Sequence, residues 1–337
     1  MPARYVIGMD CSTTATKAVV WDMEGNAVAE GRATFPLSSP EPGWGGQNAE
    51  DWWRSTRDAL RQAAGGVDAN QIGAIGITIQ RETFVCLDEH NRPVRPAILW
   101  LDSRAGKQVA KYGSDKVHEL TGKPPNPTPG FYKMLWLREN EPESLDRAHK
   151  VVDVHGFLVH RMTNQWKTSW ATADPLGLVD LRSFDWSDEL LGMVGLTREQ
   201  MAEIHPPGEV LGELADEVAA EVGIPPGTPV VAGSGDGQSA GLGANITRPG
   251  RAYLNLGTAV VLPRPGTLGN HVDGADAEFV TAPASICLPL VGTPQAYDAV
   301  TNAHTTAGIS PFFARSGNSS PLTHASSDLY LLARSPR

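Results

Sequence analysis

The stretch YVIGMDCSTTATKAVVWD, near the start of the chain, places an aspartate and a run of hydroxyl side chains between two apolar segments. Hydroxyl groups and the backbone N–H groups of a tight turn form a concave donor site suited to phosphate oxygens. The candidate phosphate ligands at this turn are Ser12, Thr13, Thr14 and Lys17. Asp10 can contribute only through Mg²⁺, which takes carboxylate and water oxygens and bridges to phosphates. A hairpin whose aspartate merely caps the turn is the alternative interpretation.

A second strand–turn–strand pattern of the same kind occurs in NLGTAVVL, where the turn is Gly257-Thr258. Between the two turns, GSGDGQSAGLG puts Asp236 at the end of a predicted strand among glycines, which let another molecule approach closely. This stretch is not a dinucleotide-binding fingerprint, because its sixth position is Gln238 rather than glycine or alanine, and the chain has no P-loop motif. The sequence therefore offers two phosphate-type turns with an isolated carboxylate between them.

The elements that must position these groups alternate between strands and helices, which indicates an α/β chain. Asn48 is the predicted N-cap of a helix that runs through AEDWWRSTRDALRQAA and ends at Gly65-Gly66. We predict strands at QIGAIGITIQ, TPVVAGSGDG and RAYLNLGTAVVL, and a hairpin in FVCLDEHNRPVRPAILWLD around Glu89–Asn91. The further predicted helices lie near 131–140, near 155–163 and in LADEVAAEVG.

Length, charge and cysteine content argue against several classes of protein. A chain of 337 residues with 41% hydrophobic residues is large enough for two ordinary domains. The formal net charge of -10 argues against a nucleic-acid partner, which requires basic surface. No leader peptide is recognisable, and no apolar stretch approaches the ~20 residues that span a bilayer, so we expect a cytoplasmic protein without a membrane partner. Cys11, Cys86 and Cys287 are too scattered for a disulfide framework, and we expect reduced thiols.

Four of these segments together resemble the FGGY carbohydrate kinases, within the actin/hexokinase/chaperone ATPase superfamily. GMDCSTTATKAVVWD is similar to the first phosphate loop of that family, and GITIQRETFVCLDEHNRPVRPAILWLDSRA to its sugar-site segment. GTPVVAGSGDGQSAGLGA resembles the stretch with the catalytic aspartate, and LNLGTAVV the second phosphate loop. The resemblance runs from about residue 4 to residue 262. It implies an α/β, ribonuclease-H-like domain, the first of a normally duplicated pair.

The resemblance also implies roles for individual residues. Asp236 would be the general base that accepts the proton of a sugar hydroxyl, and Asp10, with Asp236, would hold Mg²⁺. The turn at Ser12–Thr14 with Lys17 would contact ATP phosphates from one side, and Gly257-Thr258 from the other. The implied substrate-binding residues are Gln80, Arg81, Glu82, Trp100, Asp102 and Asp236.

The resemblance implies that the substrate is a small sugar or polyol, and it leaves glycerol and the pentuloses as the two candidate classes. The segment QRET is the form found in glycerol kinases, whereas xylulose kinases usually carry Met-His at the positions of Arg81 and Glu82. Two other features of the glycerol site are missing, because Thr128 stands where a tyrosine is expected and Gly237 where a glutamine is expected. Their loss would open the pocket to a longer substrate. We therefore expect xylulose or another pentulose or polyol, with glycerol as the alternative.

The predicted domains are 1–248, sugar-binding and catalytic, 249–282, the start of a nucleotide-binding domain, and 283–337, an atypical tail. The tail has eight serines, two acidic residues and neither lysine nor glutamate, and it shows no sustained periodicity. A shifted reading frame would produce this change, a hypothesis that an intact frame on resequencing the locus would contradict. Two other classes stay open, a non-catalytic sugar-binding module and an ATPase without a sugar substrate. A homodimer is expected by analogy with the family.

Overall fold

A computed structural model of the chain describes residues 3–244 and the strands at 251–256, 260–261 and 329–334. The chain divides into two units, Met1–Asp236 and Gly237–Arg337. The boundary predicted from sequence at 248/249 stays a prediction.

The first unit alternates short strands with helices. Its strands are β1 (Tyr5–Cys11), β2 (Ala15–Asp22), β3 (Ala27–Thr34), β4 (Gly46–Gln47), β5 (Ile72–Ile79), β6 (Phe84–Leu87), β7 (Ala97–Ile98), β8 (Lys150–Asp153), β9 (Lys167–Ser169), β10 (Val179–Asp180), β11 (Asp185–Trp186), β12 (Glu203–His205), β13 (Val210–Glu213) and β14 (Pro229–Val231). Its helices are α1 (Ala49–Ala64), α2 (Gly106–Tyr112), α3 (Asp115–Thr121), α4 (Gly130–Asn140), α5 (Pro142–Asp146), α6 (Val154–Thr163), α7 (Trp170–Ala173), α8 (Asp188–Val194) and α9 (Asp216–Val222).

Helix α10 (Asp236–Gly243) begins at the last residue of the first unit. The strands of the second unit are β15 (Arg251–Leu256), β16 (Val260–Val261) and β17 (Leu329–Arg334). They form one antiparallel sheet in the order β16-β15-β17.

A six-stranded sheet in the order β13-β14-β5-β1-β2-β3 is the centre of the first unit. Strands β1, β2 and β3 form an antiparallel meander, whereas β5 runs parallel to β1 and β14 parallel to β5. Helices α1, α6 and α9 contact one another or this sheet. The arrangement agrees with the ribonuclease-H-like α/β domain expected from the sequence.

Two hydrophobic clusters stabilise this unit, and strand β6 lies between them. Alternate residues of a strand point to opposite faces, so Val85 and Leu87 join the cluster of the main sheet, whereas Phe84 and Cys86 join a second cluster around α4 and α8. In the first cluster the ring of Trp52 packs edge-on against Phe157, with centroids 5.7 Å apart. The polar segments described below lie at the ends of strands that border both clusters.

Local signals in the sequence are confirmed by the structure. The side chain of Asn48 accepts a hydrogen bond from the N–H of Glu50, and helix α1 ends before Gly65. The predicted hairpin around residues 89–91 is present, with Asn91 at φ 59°. The helices expected near 131–140 and 155–163 are α4 and α6, and Gly223, whose φ is 72°, caps the end of α9.

Two details differ from the expectations. Strand β14 ends at Val231, so that Asp236 begins a helix instead of ending a strand. Residues 329–334, in the tail that received no predicted element, form β17 and pair with β15. Pairing with a distant strand can order a segment that has no clear periodicity of its own. The second phosphate turn, Gly257-Thr258, lies outside the described residues, as does Cys287.

Within the part of the chain that the structure describes, no helix combines the length and apolar character needed to cross a membrane. Cys11 and Cys86 are free and buried. Burial raises the pKa of each thiol to about 12, so both stay protonated at neutral pH.

The close approach of β3 to helix α1 generates a stability prediction. A Cβ added at Gly31 would lie 2.1 Å from the carbonyl oxygen of Ala59 and 2.9 Å from the nitrogen of Ala63, both backbone atoms that cannot rotate away. Gly31→Ala should therefore lower the free energy of unfolding by about 1–3 kcal/mol in urea denaturation. Gly192→Ala is the matched control in a helix, where a Cβ would meet nothing within 4 Å, and it should raise stability by about 0.5–1 kcal/mol. Equal stabilities of the two variants would contradict this packing.

Candidate functional site

The hydroxyl-rich turn between β1 and β2 is held in one conformation by its own backbone and by distant side chains. The N–H of Ser12 and its hydroxyl both donate to the carbonyl oxygen of Ala15, at 3.0 and 2.9 Å. Thr13 is fixed twice, since its hydroxyl accepts a hydrogen bond from Trp100 Nε1 at 3.1 Å and its carbonyl accepts one from Gln47 Nε2. The turn is therefore preorganised before any ligand binds.

Asp10 lies at the base of this turn, and its neighbours suit an oxygen-liganded cation. It pairs with Lys17 on β2 and with Thr78 on β5, so the three side chains share one face of the sheet. Within the described residues, the buried hydroxyl of Thr78 makes no hydrogen bond. A carboxylate beside an unsatisfied hydroxyl fits hydrated Mg²⁺, which binds proteins through one or two carboxylates plus water and phosphate oxygens. No group of three or more acidic, histidine or cysteine ligands occurs among residues that the structure describes.

Lys17, predicted as a phosphate ligand, is directed along the sheet surface. Its ammonium lies 3.1 Å from the carboxylate of Glu30 on β3, and both side chains are exposed. An exposed pair of this kind is weak, so a phosphate could compete for the lysine. The phosphate role of Lys17 stays a prediction.

The segment Gln80–Thr83 joins β5 to β6 through a turn that brings two distant residues together. Glu82 has φ 65°, in the left-handed region that side chains other than glycine rarely adopt. The turn places Arg81 against Asp236, with 3.3 Å between Nε and Oδ1 across 155 positions of sequence. The predicted sugar-binding arginine and the predicted base are thus neighbours in space.

Glu82 is half-buried next to this pair. Burial raises the pKa of its carboxyl group, and the negative charge of Asp236 acts in the same direction. The cations Arg81, Lys133 and Lys123 oppose the shift. A partly desolvated carboxyl group surrounded by cations is a strong partner for ligand hydroxyl groups.

Trp100 connects the turn at Thr13 to the segment that carries Arg81 and Glu82. Its backbone N–H donates to Thr83 Oγ1 at 3.1 Å, while its indole N–H donates to Thr13 Oγ1 at 3.1 Å. The backbone of Trp100 is therefore bound to the predicted sugar-site segment, and its side chain to the predicted phosphate turn. This contact fixes the spacing between the phosphate turn and the sugar-site segment.

Gln80 lies beneath the site rather than on its surface. The side chain is 1% exposed, and its amide donates to Gln47 Oε1 at 3.0 Å, which also accepts from the indole N–H of Trp52 at 2.8 Å. The amide of Gln80 thus holds Gln47, whose own amide binds the carbonyl of Thr13 in the hydroxyl-rich turn. Its predicted contact with substrate stays a prediction.

Asp102 is the centre of a buried ion pair. Its two carboxylate oxygens accept four hydrogen bonds, three from the backbone and guanidinium of Arg104 and one from the N–H of Gly45. The guanidinium lies 3.7 Å from the ring of Trp44 and 4.9 Å from that of Trp136. Because a carboxylate has about four acceptor positions, these bonds occupy Asp102 in the described structure. Its predicted contact with substrate stays a prediction.

Lys133 is a residue that the sequence analysis did not identify. Its side chain is fully buried, and its ammonium donates to the carbonyl oxygens of Leu99, Trp100 and Thr128, at 2.8, 3.2 and 2.5 Å. It thereby joins the Trp100 segment to the loop that carries Thr128. The available signal was a lysine inside the apolar run GFYKMLWL, where a buried cation requires a compensating function.

The structure thus brings part of the predicted site together. The residues linked by direct contacts are Thr13, Arg81, Trp100 and Asp236. Gly257 and Thr258 lie outside the described residues, so their part in the site stays a prediction.

Comparisons with known proteins agree with this geometry. A family model described as the FGGY family of carbohydrate kinases, N-terminal domain, matches residues 5–243. A xylulose kinase from Streptomyces rubiginosus is 35% identical and covers 80% of this chain, and a glycerol kinase from Thermococcus gammatolerans is 32% identical over 80%. These matches reach 57% and 56% of the respective relatives. The chain therefore spans about half the length of the curated relatives it matches.

The fold class is confirmed by solved structures. The structure of gluconate kinase from Lactobacillus acidophilus superposes with a TM-score of 0.73 at 27% identity, covering 77% of this chain and 53% of that one. The motifs in the sequence did not indicate gluconate as a substrate class.

Lys133 generates a prediction about stability. Lys133→Met would remove the hydrogen bonds to the carbonyl groups of Trp100 and Thr128 and one of the two to that of Leu99, which also accepts the N–H of Asp102, and it should lower the free energy of unfolding by about 2–4 kcal/mol. Lys111→Met is the control, since Lys111 is exposed in an ion pair with Glu139 and its loss should hardly change stability. Similar urea midpoints for the two variants would contradict the structural function of Lys133.

The same residue should impose a pH dependence. Burial lowers the pKa of Lys133 from 10.5 to about 7 in the folded protein. Between these values only the unfolded chain holds the proton, so the contribution of this residue to the free energy of unfolding should increase as pH rises from 7 towards 10. Lys133→Met removes this pH dependence. The difference between the free energies of unfolding of the native chain and of Lys133→Met, measured by urea denaturation at each pH, therefore gives the contribution of Lys133.

Proposed function

Because the chain belongs to the FGGY family of carbohydrate kinases, we propose that it binds a sugar or polyol for ATP-dependent phosphorylation of one of its hydroxyl groups. The observation that carries the proposal is the contact between Arg81 and Asp236 at 3.3 Å, on a segment that Trp100 ties to the hydroxyl-rich turn. A phosphotransferase needs a hydroxyl-binding cation, a proton acceptor and a phosphate site close together.

In the proposed reaction, Arg81 and Glu82 hold hydroxyl groups of the sugar, and the reacting hydroxyl faces Asp236. Its oxygen bonds to the γ-phosphorus of ATP while the bond from that phosphorus to the bridging oxygen of ADP breaks. The hydroxyl proton passes to the carboxylate of Asp236. Before substrate enters, the ion pair with Arg81 keeps that carboxylate oriented towards the sugar segment.

The turn at Ser12–Thr14 would receive phosphate oxygens of ATP. Trp100 and Gln47 hold Thr13 in place, so little conformational entropy would be lost when the nucleotide binds. Asp10 and Thr78 would hold Mg²⁺ through oxygen atoms. When bound, Mg²⁺ supplies charge neutralisation for the phosphate groups.

For the substrate we propose a pentulose such as xylulose. The support is the xylulose kinase at 35% identity, together with the absence of two glycerol-site features at Thr128 and Gly237. Thr128 adjoins the site, because its carbonyl shares Lys133 with that of Trp100. A threonine here fills less space than a tyrosine and leaves room for a longer carbon chain. Glycerol is the alternative at 32% identity, and gluconate is a further candidate.

A coupled ADP-release assay with ATP and Mg²⁺ tests the proposal on D-xylulose, L-ribulose, glycerol and gluconate. We expect turnover of a pentulose that Asp236→Asn reduces by about 10²–10⁴-fold, because the amide cannot accept the proton. Asp58→Asn is the control, an exposed aspartate on helix α1 that pairs with Arg61. Full activity in Asp236→Asn would show that another group is the base.

Sugar binding without turnover would favour the second candidate, a non-catalytic sugar-binding module. The observation that favours this candidate is that Arg81, Glu82 and Trp100, with their contacts, all lie within the first unit.

Arg81 generates a separate binding prediction. Arg81→Met should weaken sugar affinity by about 10- to 100-fold, since hydrogen bonds to a charged group contribute about 1.5–3 kcal/mol. Calorimetric titration of the panel without nucleotide measures this effect. Arg54→Met, which removes an exposed arginine paired with Asp51, should leave affinity unchanged. Equal affinity in both variants would exclude Arg81 from the sugar site.

A further inference from the structure

A fully buried histidine lies behind the predicted base and has no part in the function proposed so far. His155 is the second residue of helix α6, which packs beneath strands β5 and β14. Burial lowers the pKa of its imidazole to about 3, so the ring is neutral at ordinary pH. A neutral imidazole offers one donor and one acceptor nitrogen, and a buried one needs partners for both.

Both ring nitrogens have partners. The backbone N–H of Gly233 donates to Nε2 at 3.2 Å, and Nδ1 lies 3.3 Å from Thr168 Oγ1. An N–H group can only donate, so Nε2 must be the unprotonated nitrogen and Nδ1 carries the hydrogen. Nδ1–H then donates to the hydroxyl of Thr168, which in turn lies 3.0 and 3.1 Å from the two carboxylate oxygens of Asp153.

This chain of hydrogen bonds is anchored at its far end. Asp153 is the N-cap of α6 and accepts the N–H of Gly156 at 2.8 Å, while the hydroxyl of Thr168 also lies 3.0 Å from that of Thr172. The four polar side chains of the chain are all buried. The tautomer of His155 is therefore fixed by its surroundings, as is its ring orientation.

The near end of the chain is the segment that leads into Asp236. Gly233 lies so close to β5 that a Cβ would be 1.7 Å from the carbonyl oxygen of Ile77, and Gly235 forms a bridge with Ile79. The segment 233–235 is thus held by β5 and by the imidazole of His155. Asp236 follows directly, so a movement of Gly233 would shift its carboxylate relative to Arg81.

We propose that His155 is a positioning residue for Asp236, acting through the hydrogen bond that Nε2 accepts from the backbone of Gly233. Asp153 and Thr168 hold the imidazole in the tautomer that this bond requires. The inference rests on the proposed function for the role of Asp236, whereas the link between His155 and residues 233–236 stands on the geometry alone.

Three substitutions separate this role from simple packing. His155→Leu keeps an apolar side chain of similar size but removes the acceptor, whereas His155→Gln can present an amide oxygen near the position of Nε2. Thr168→Val removes the hydroxyl that fixes the tautomer. His160→Leu is the matched control on the same helix, since the His160 ring stacks on Trp166 rather than contacting the Gly233 segment.

Hydrogen exchange of the amides at 233–236 and steady-state kinetics are measured on the full chain. His155→Leu should accelerate exchange at Gly233 by about tenfold or more. It should lower kcat by about 10- to 100-fold with the KM for sugar changed less than about threefold. His155→Gln should restore most of both properties, Thr168→Val should be intermediate, and His160→Leu should change neither.

Unchanged exchange at Gly233 in His155→Leu would overturn the proposal, as would equal losses in the Leu and Gln variants at equal thermal stability. If the native chain turns over no sugar, the proposed function fails while the exchange measurement still decides the link. If His155→Leu does not fold, the comparison of His155→Gln and Thr168→Val with the native chain decides instead. Exchange at Gly233 that is faster only in Thr168→Val supports the proposal, and unchanged exchange in both overturns it.

Discussion

The site depends on the hydrogen bonds of one buried side-chain amide, that of Gln47. It lies on the two-residue strand β4, 2% exposed, and it binds three separate parts of the fold. Its nitrogen donates to the carbonyl of Thr13 at the phosphate-type turn, and its oxygen accepts from Trp52 in helix α1 and from Gln80 at the end of β5. A buried amide without partners would cost about 1–3 kcal/mol per group, so these partners must stay in place. The hairpin tip, the helix and the strand end therefore have a fixed relative position.

A second set of buried polar groups holds the other side of the site. Arg104 pairs with Asp102 between two tryptophan rings, and Lys133 binds carbonyl groups of two loops. Buried charges are costly unless they are paired and hydrogen-bonded. Arg104 has both kinds of partner in Asp102, whereas Lys133 has carbonyl acceptors only, and burial lowers its pKa to about 7. Their effect is to fix the Trp100 segment, whose indole then reaches Thr13. Residues that resemble ligands in sequence can thus serve as the support of a site.

The ion pair of Arg81 and Asp236 is the point where these supports meet. Arg81 approaches from the strained turn at Glu82, which the neighbouring bonds of Thr83 hold in place. Asp236 approaches from the glycine segment, which His155 contacts from the opposite side through Gly233. Strand β5 contributes to both sides, since Arg81 follows its last residues and Gly235 forms a bridge with Ile79. Such rigid support from both sides is what preorganised transfer of a phosphoryl group requires.

The sequence by itself determined the elements whose signals are local. The Asn48 cap and the glycine stop of α1, the hairpin after Asp10 and the order of motifs up to Asp236 all follow from neighbouring residue types and spacing. The roles within the site were decided by tertiary structure, because they depend on partners far apart in the chain. Asp102 is occupied by Arg104 and a distant backbone N–H, and only burial shows this. The function of His155 likewise depends on the packing of α6 under β14, a contact over 78 positions that no local pattern encodes.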